Sequence, residues 1–309
     1  MTVLVTGGAG FIGSHVVDRL VDHGTRVRVL DNLSTGKREN LPADGVEFVH
    51  GDVRDRSAVD AALRGVQAII HLAAVASVQA SVDDPLGTHA TNLLGTLNLL
   101  ESARAQGVAR MAYASSAAIY GDTQQLPVSE TSTPMPLSPY AADKLAGEHY
   151  LTFYANKFGI QGTAFRFFNI FGPRQDPSSP YSGVISIFVE RLRNDAPVTI
   201  FGDGMQTRDF VYVGDLAKIL VQSLDRPETV GKVMNVGRGV ECSLLDLLSV
   251  LERLTQRKLK RKYEAQRVGD ILRSCADVTR LRAGFGYVPA TPLDDGLAQL
   301  LRHERVIAR

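Results

Sequence analysis

The chain has little cysteine, no surplus of either charge and no long apolar run, and each shortage closes off a class of function. Cys242 and Cys275 lie far apart with no metal-ligand spacing, so no metal site is expected. They read as reduced core thiols, compatible with a cytoplasmic compartment. Thirty-four Lys and Arg against 33 Asp and Glu leave a net charge of +1, too little basic surplus for a nucleic-acid partner. The densest basic patch, RKLKRK (257–262), is short and reads as a solvated face. VQAIIHLAAVA (66–76), the most apolar stretch, is interrupted by Gln67 and His71 and is too short to cross a bilayer. The opening MTVLVTGGAG shows neither a basic n-region nor a cleavage site. A soluble, cytoplasmic protein without a membrane partner is expected. Repeats and low-complexity tracts are absent as well.

What is present suits a globular protein of one large or two modest domains: 309 residues, 44% hydrophobic and 22% charged. Short β-branched runs, VLVT (3–6), RVRVL (26–30), VEFV (46–49), AIIHL (68–72), RMAYAS (110–115) and TAFRFFN (163–169), read as strands. Helical patterns near 12–23, 56–64, 86–106 and 138–158 separate the first of them. This alternation predicts an α/β fold, a Rossmann-type doubly wound parallel sheet. Beyond Asn169 the pattern loosens into GPRQDPSSPYSG (172–183), helices near 184–194 and 243–256, and shorter elements, which suggests a smaller mixed α/β domain. VYVGDLAKILVQSL (211–224) is patterned to pack back on the first domain. The expected division is therefore interleaved, 1–168 with 210–236 against 169–209 with 237–309.

TGGAGFIG (6–13) follows the first strand and opens the first helix. Gly7, Gly8, Gly10 and Gly13 allow a tight turn and a close approach of backbone to a pyrophosphate at a helix N-terminus. Asp31, at the end of the second strand, is placed to accept hydrogen bonds from ribose hydroxyls. Its carboxylate would repel a 2′-phosphate, and its neighbour is Asn32 rather than Arg, so NAD is favoured over NADP. Asp52, in GDV (51–53), is either an adenine contact or a loop acid.

SPYAADKLAGEH (138–149) begins with an N-cap serine and a proline suited to the first helical position. Tyr140 and Lys144, four residues apart, share a helix face. A phenol is a poor base at neutral pH, but a nearby ammonium and a positive nicotinamide would both favour its phenolate. Ser116, in SSAAIYG (115–121), stands at a strand end, where open α/β sheets bind ligands. Ser116, Tyr140 and Lys144 read as a catalytic relay for hydride chemistry.

With these motifs, DNLSTG (31–36), GDVRD (51–55), HLAA (71–74), RFFNIFGPR (166–174), IFGDG (200–204), RDFVYV (208–213) and RVGD (267–270), the chain resembles the extended short-chain dehydrogenase/reductases. Within them it resembles the UDP-hexose 4-epimerases over essentially its whole length. The resemblance implies that Phe11 and Ile12 line the pyrophosphate and that Asn32, Ser34 and Gly36 surround the adenosine ribose. It also implies that Asp52, Val53, Leu72, Ala73, Ala74, Asn92 and Phe168 contact the dinucleotide, and that Lys144 holds the nicotinamide ribose. On the substrate side it places Asn169 on the diphosphate or sugar, Val184 and Phe201 beside the uracil, Arg208 and Arg267 on the diphosphate, and Asp270 on the uridine ribose. It further implies a homodimer through the helices at 86–106 and 138–158. Two departures stand out. Ala76 takes the place of a lysine common in galactose epimerases, and Phe167 stands where some members carry Tyr.

The residues beside Ser116 bear on the reaction. Related 4,6-dehydratases carry an Asp–Glu pair where this chain has Ala117 and Ala118, and decarboxylases usually present a glutamate nearby. Reversible oxidation at C4 needs neither. Ser274, at the position that in this family walls the sugar pocket, is small, and the loop at 172–185 resembles that of UDP-N-acetylglucosamine 4-epimerases. UDP-GlcNAc/UDP-GalNAc is the expected pair, with UDP-Glc/UDP-Gal as another. Two alternatives remain, a different sugar-nucleotide enzyme of the family (a dehydratase or reductase) and a non-catalytic NAD-binding regulator. Regulators of that kind commonly lose the Tyr or Lys that this chain keeps.

Overall fold

Runs such as Val3–Leu4–Val5 and Ile69–Ile70 have no exposed surface, as strands covered on both faces require. The computed structural model describes residues 1–176, 183–266 and 271–308. In chain order its strands are β1 (Thr2–Thr6), β2 (Arg26–Asp31), β3 (Val46–His50), β4 (Ala68–His71), β5 (Arg110–Ser116), β6 (Gln161–Phe167), β7 (Asn169–Phe171), β8 (Val198–Phe201), β9 (Thr207–Arg208), β10 (Phe210–Tyr212), β11 (Val233–Val236), β12 (Cys242–Ser243) and β13 (Arg261–Glu264). The α-helices are α1 (Phe11–Asp22), α2 (Arg56–Leu63), α3 (Val78–Asp83), α4 (Pro85–His89), α5 (Gly95–Gln106), α6 (Pro139–Phe158), α7 (Val184–Arg193), α8 (Val213–Ser223), α9 (Leu244–Thr255), α10 (Thr279–Phe285) and α11 (Leu293–His303).

Seven strands form one sheet in the order β11-β6-β5-β4-β1-β2-β3, and the pairs from β6 through β3 are parallel. This is the doubly wound Rossmann arrangement expected from the sequence. Chain direction across the sheet reverses between β1 and β4, which opens the ligand crevice at their carboxyl ends. Leu4, Ile69, Leu99, Leu100, Met111 and Tyr113 are among the residues of the core around it.

The helix expected near 86–106 is segmented. α4 passes through a π-helical turn at Ala90–Leu94 before α5 begins. A π turn inserts an extra residue and re-aims side chains, and Asn92 on this turn is buried.

The chain divides into two compact units. One comprises Met1–Tyr120, Pro134–Phe167 and Ala217–Met234; the other comprises Gly121–Thr133, Phe168–Leu216 and Asn235–Arg309. The expected division differs in two main stretches, 121–133 and 210–216, and local pairing explains both. Val128 exchanges backbone hydrogen bonds with Cys275 and Asp277 at 2.8 Å each, and β10 pairs in parallel with β7. Within the second unit β8 pairs with β13 and β9 with β12. α7, α9 and α11 enclose a core that includes Phe171, Phe188, Ile200, Leu247, Leu251 and Leu297. Among the described residues no helix is long and apolar enough to cross a membrane.

Candidate active site

The turn from β1 into α1 is built around glycines that nothing larger could replace. Gly7 has φ +68°, and a Cβ on it would lie 2.7 Å from the Ala73 nitrogen; a Cβ on Gly13 would lie 2.1 Å from the Gly7 carbonyl oxygen. α1 starts at Gly10 with no side-chain cap. The N–H groups of Phe11 and Ile12 therefore point outward without intrahelical acceptors, at the positive end of a 12-residue helix. An anionic pyrophosphate fits that cradle.

Asp31, 7% exposed, is held by two backbone N–H groups, from Ala9 to Oδ2 (2.9 Å) and from Leu33 to Oδ1 (2.8 Å). Each oxygen keeps a lone pair for a ribose hydroxyl. Gly36 packs on Ala9, where a Cβ would come within 2.9 Å. Asn32 accepts from the Ser34 N–H and donates to Asp52. Asp52 is also gripped twice by Arg54, and these hydrogen bonds, Arg54's foremost, hold its carboxyl down at about 2. Val53 faces the core, where a Cβ on Gly95 would meet it at 2.7 Å.

Leu72, Ala73 and Ala74 leave β4 beside this turn, with the Leu72 N–H on the Thr6 carbonyl. Asn92 grips the same loop, accepting from the Val75 N–H (2.8 Å) and donating to the Val75 carbonyl (3.2 Å).

Ser138 caps α6 by accepting from the Ala141 N–H at 3.2 Å, and Pro139 fills the first turn. This fixes the first turn of the helix, where Tyr140 sits. The Ser116 hydroxyl, which accepts from the Ala118 N–H at 3.1 Å, is placed to favour the Tyr140 phenolate. Lys144 Nζ donates to the Ala114 carbonyl at 2.7 Å and lies 5.2 Å from the Tyr113 ring centre and 5.9 Å from that of Tyr140. Burial raises the Tyr140 phenol above its ordinary value, against the opposing Ser116 hydrogen bond. Burial lowers the Lys144 ammonium to about 8, against the charges of Asp143 and Glu148. The protein's own groups leave the phenol raised because burial outweighs the Ser116 hydroxyl; the positive nicotinamide, the second charge in the expectation, would favour the phenolate.

In the second unit Phe168 is buried and donates its N–H to the Val236 carbonyl. The Asn169 N–H bonds the Asp209 carbonyl, Arg208 lies on β9, and the Thr207 N–H bonds the Leu272 carbonyl at 2.9 Å. That bond brings the segment carrying Ser274 beside Arg208. Gln206 ties in the Phe201 carbonyl, while Val184 packs on the core of the unit. Arg267 and Asp270 lie outside the described residues.

Several organising residues escaped the sequence reading. Asp209, with no exposed surface, accepts from the backbone N–H groups of Arg238, Gly239 and Ala276 and so joins three segments behind Arg208. Its position between Arg208 and an apolar strand was the available signal. His71, buried on β4, bridges Thr6 and Thr96. No group of three or more metal-ligating side chains occurs among the described residues.

Known proteins share this fold. The profile of the NAD dependent epimerase/dehydratase family matches residues 3–237. A putative UDP-glucose 4-epimerase of Methanocaldococcus jannaschii is 39% identical, with 97% of each chain covered. The structure of the Thermotoga maritima UDP-glucose 4-epimerase with UDP-glucose superposes with a TM-score of 0.95 at 38% identity, covering 99% of both chains. A UDP-N-acetylglucosamine 4-epimerase from Methanobrevibacter ruminantium, in complex with UDP-N-acetylmuramic acid, gives 0.94 at 35% identity over 98% of both. With that profile spanning residues 3–237 and a relative 39% identical over nearly its whole length, the chain belongs to the NAD dependent epimerase/dehydratase family, and its cofactor is NAD.

Proposed function

We propose that the protein is a UDP-hexose 4-epimerase whose pocket admits N-acetylated sugars, interconverting UDP-GlcNAc and UDP-GalNAc, with UDP-Glc and UDP-Gal as a further pair. The observation that carries the reading is Tyr140 with buried Lys144 5.9 Å from its ring centre and the Ser116 hydroxyl placed to favour its phenolate, in a site whose next two side chains are Ala117 and Ala118. Bound NAD supplies a hydride acceptor and donor and the positive charge that the phenol needs to ionise. Tyr140 Oη takes the C4 hydroxyl proton as the C4–H bond gives up its hydride, leaving a 4-keto sugar. Ser116 holds the C4 oxygen. Were the sugar to turn about its diphosphate linkage, a hydride returned to its other face would give the C4 epimer, with Tyr140 giving back the proton. Arg208, and Arg267 by family resemblance, anchor the diphosphate during the turn.

Ser274 supports the acetylated pair, because a small side chain leaves room where a tyrosine would fill it. Most of the named relatives are UDP-glucose enzymes, so the substrate preference rests on this chain's own residue. We extend the proposal to a homodimer, supported by exposed Leu86, Leu94, Tyr150 and Phe153 on α4, the π turn and α6, and to a cytoplasmic location, supported by free thiols at Cys242 and Cys275. Incubation with each of the four UDP-sugars and separation of the products tests the function. Conversion within both pairs, faster for the acetylated one, is expected; no conversion of any sugar would refute the epimerase reading.

A further inference from the structure

Behind the reacting hydroxyls lies a charged pair that the chemistry above does not use. Glu148 follows Lys144 by one helical turn and Tyr140 by two, on α6. Arg166 is on β6, in register with Ser115 of β5. Both side chains are 5% exposed, and they meet in a two-pronged contact, Nε to Oε1 at 2.9 Å and Nη2 to Oε2 at 2.7 Å. The Ser115 hydroxyl donates to Glu148 Oε1 at 2.5 Å. Arg166 Nη1 donates to the Tyr120 hydroxyl at 2.9 Å, with the guanidinium carbon 4.9 Å from that ring. Ser115 immediately precedes Ser116, and Tyr120 ends the 3₁₀ turn Ala117–Tyr120 that immediately follows it.

A buried ion pair of this kind adds little net stability, because desolvation of both ions offsets their attraction, and well-packed apolar residues often replace such pairs without loss. Its geometric effect is specific. One ion reaches the residue before Ser116, and the other reaches the end of the turn after it.

We propose that Glu148 and Arg166 are positioning residues that clamp the strand-to-turn junction at Ser116 from both sides and so fix its hydroxyl against Tyr140. The inference rests on the epimerase reading for its kinetic consequence but not for its structural one. Glu148 has a second effect through charge. The groups facing Lys144 are Asp143, Glu148 and Tyr140 on α6, His71 on β4 and Tyr113 on β5, and of these Asp143 and Glu148 favour its protonated form. His89 on α4 in turn bonds Asp143.

Two sets of variants test the clamp in the NAD-loaded protein. The paired apolar exchange Glu148→Leu with Arg166→Met, and the milder singles Ser115→Ala, Glu148→Gln and Arg166→Lys, are compared with wild type. For the exchange, kcat should fall about 10- to 100-fold, as displacement of a reacting group by about an ångström does, while KM for the UDP-sugar changes less than about threefold. Amide hydrogen exchange across 115–120 should quicken while the rest of the sheet keeps its protection. Arg166→Lys, which retains the charge, should lose less than the exchange does. Glu148→Gln should also move the alkaline limb of the rate profile to lower pH. If the exchange does not fold, Ser115→Ala and Glu148→Gln decide the question. Variants that fold with kcat within twofold of wild type and unchanged exchange at 115–120 would overturn the clamp. A wild-type protein that epimerises nothing would instead defeat the functional reading, and hydrogen exchange would still judge the clamp.

Discussion

His71 should make the first unit acid-labile, and the size of the effect follows from its surroundings. The ring is 2% exposed, with Nδ1 2.6 Å from the Thr6 hydroxyl and Nε2 3.0 Å from that of Thr96. Thr96 donates its own proton to the Asn92 carbonyl at 2.6 Å, so it accepts from Nε2–H, and Nδ1 then accepts from Thr6. The neutral ring satisfies this chain, and a second ring proton would face a hydroxyl already donating. Burial, with a smaller contribution from the Lys144 charge, lowers the imidazole from 6.5 to about 3. Between those values the unfolded chain binds a proton that the folded one refuses, so stability is lost as pH falls below 6.5. At about 1.36 kcal/mol per pH unit, the loss between pH 7 and 5 is about 2 kcal/mol. Urea unfolding of wild type and His71→Gln at both pH values isolates it. The wild type should lose about 2 kcal/mol more than the variant on acidification, whereas parallel losses would refute a neutral, enclosed ring.

Other substitutions probe the cradle, the helix and the pocket. Gly13→Ala puts a methyl 2.1 Å from the Gly7 carbonyl oxygen; thermal unfolding should show a loss of at least the 1–3 kcal/mol of an overpacked core, roughly, together with weaker NAD binding by titration. Ser138→Ala removes the cap of α6 and should cost about 1 kcal/mol, measurable in urea. Ser274→Tyr should depress turnover of UDP-GlcNAc and UDP-GalNAc selectively; equal loss on UDP-Glc and UDP-Gal would argue against its role as a gate.

The parts of the molecule legible in sequence were those where one local rule decides the outcome. β-branched runs gave the six strands from β1 to β6 within a residue or two, Ser138 and Pro139 marked the start of α6, and the glycines of 7–13 marked the turn. Where a helix depended on tertiary partners, the reading blurred. The pattern at 86–106 looks continuous, yet Asn92 is drawn inward to Val75 and a π turn absorbs the extra residue. Val211 and Tyr212 read as part of a stretch patterned to pack on the first domain but pair with β7. Buried polar residues were hardest to read. Glu148, Arg166, Asp209 and His71 look like ordinary charged or polar positions until the fold brings their partners from 18 to 67 residues away. The upward shift of the phenol was hidden for a similar reason, since no spacing rule reveals its desolvation in the folded chain.

The central claim concerns one oxygen, Tyr140 Oη, and Tyr140→Phe removes it while leaving the ring. In the product-separation assay this variant should bind NAD as wild type does and lose about 10²- to 10⁴-fold in epimerisation rate, the usual contribution of a positioned acid–base group. A folded, NAD-loaded Tyr140→Phe protein that converts UDP-hexoses at close to the wild-type rate would contradict the account.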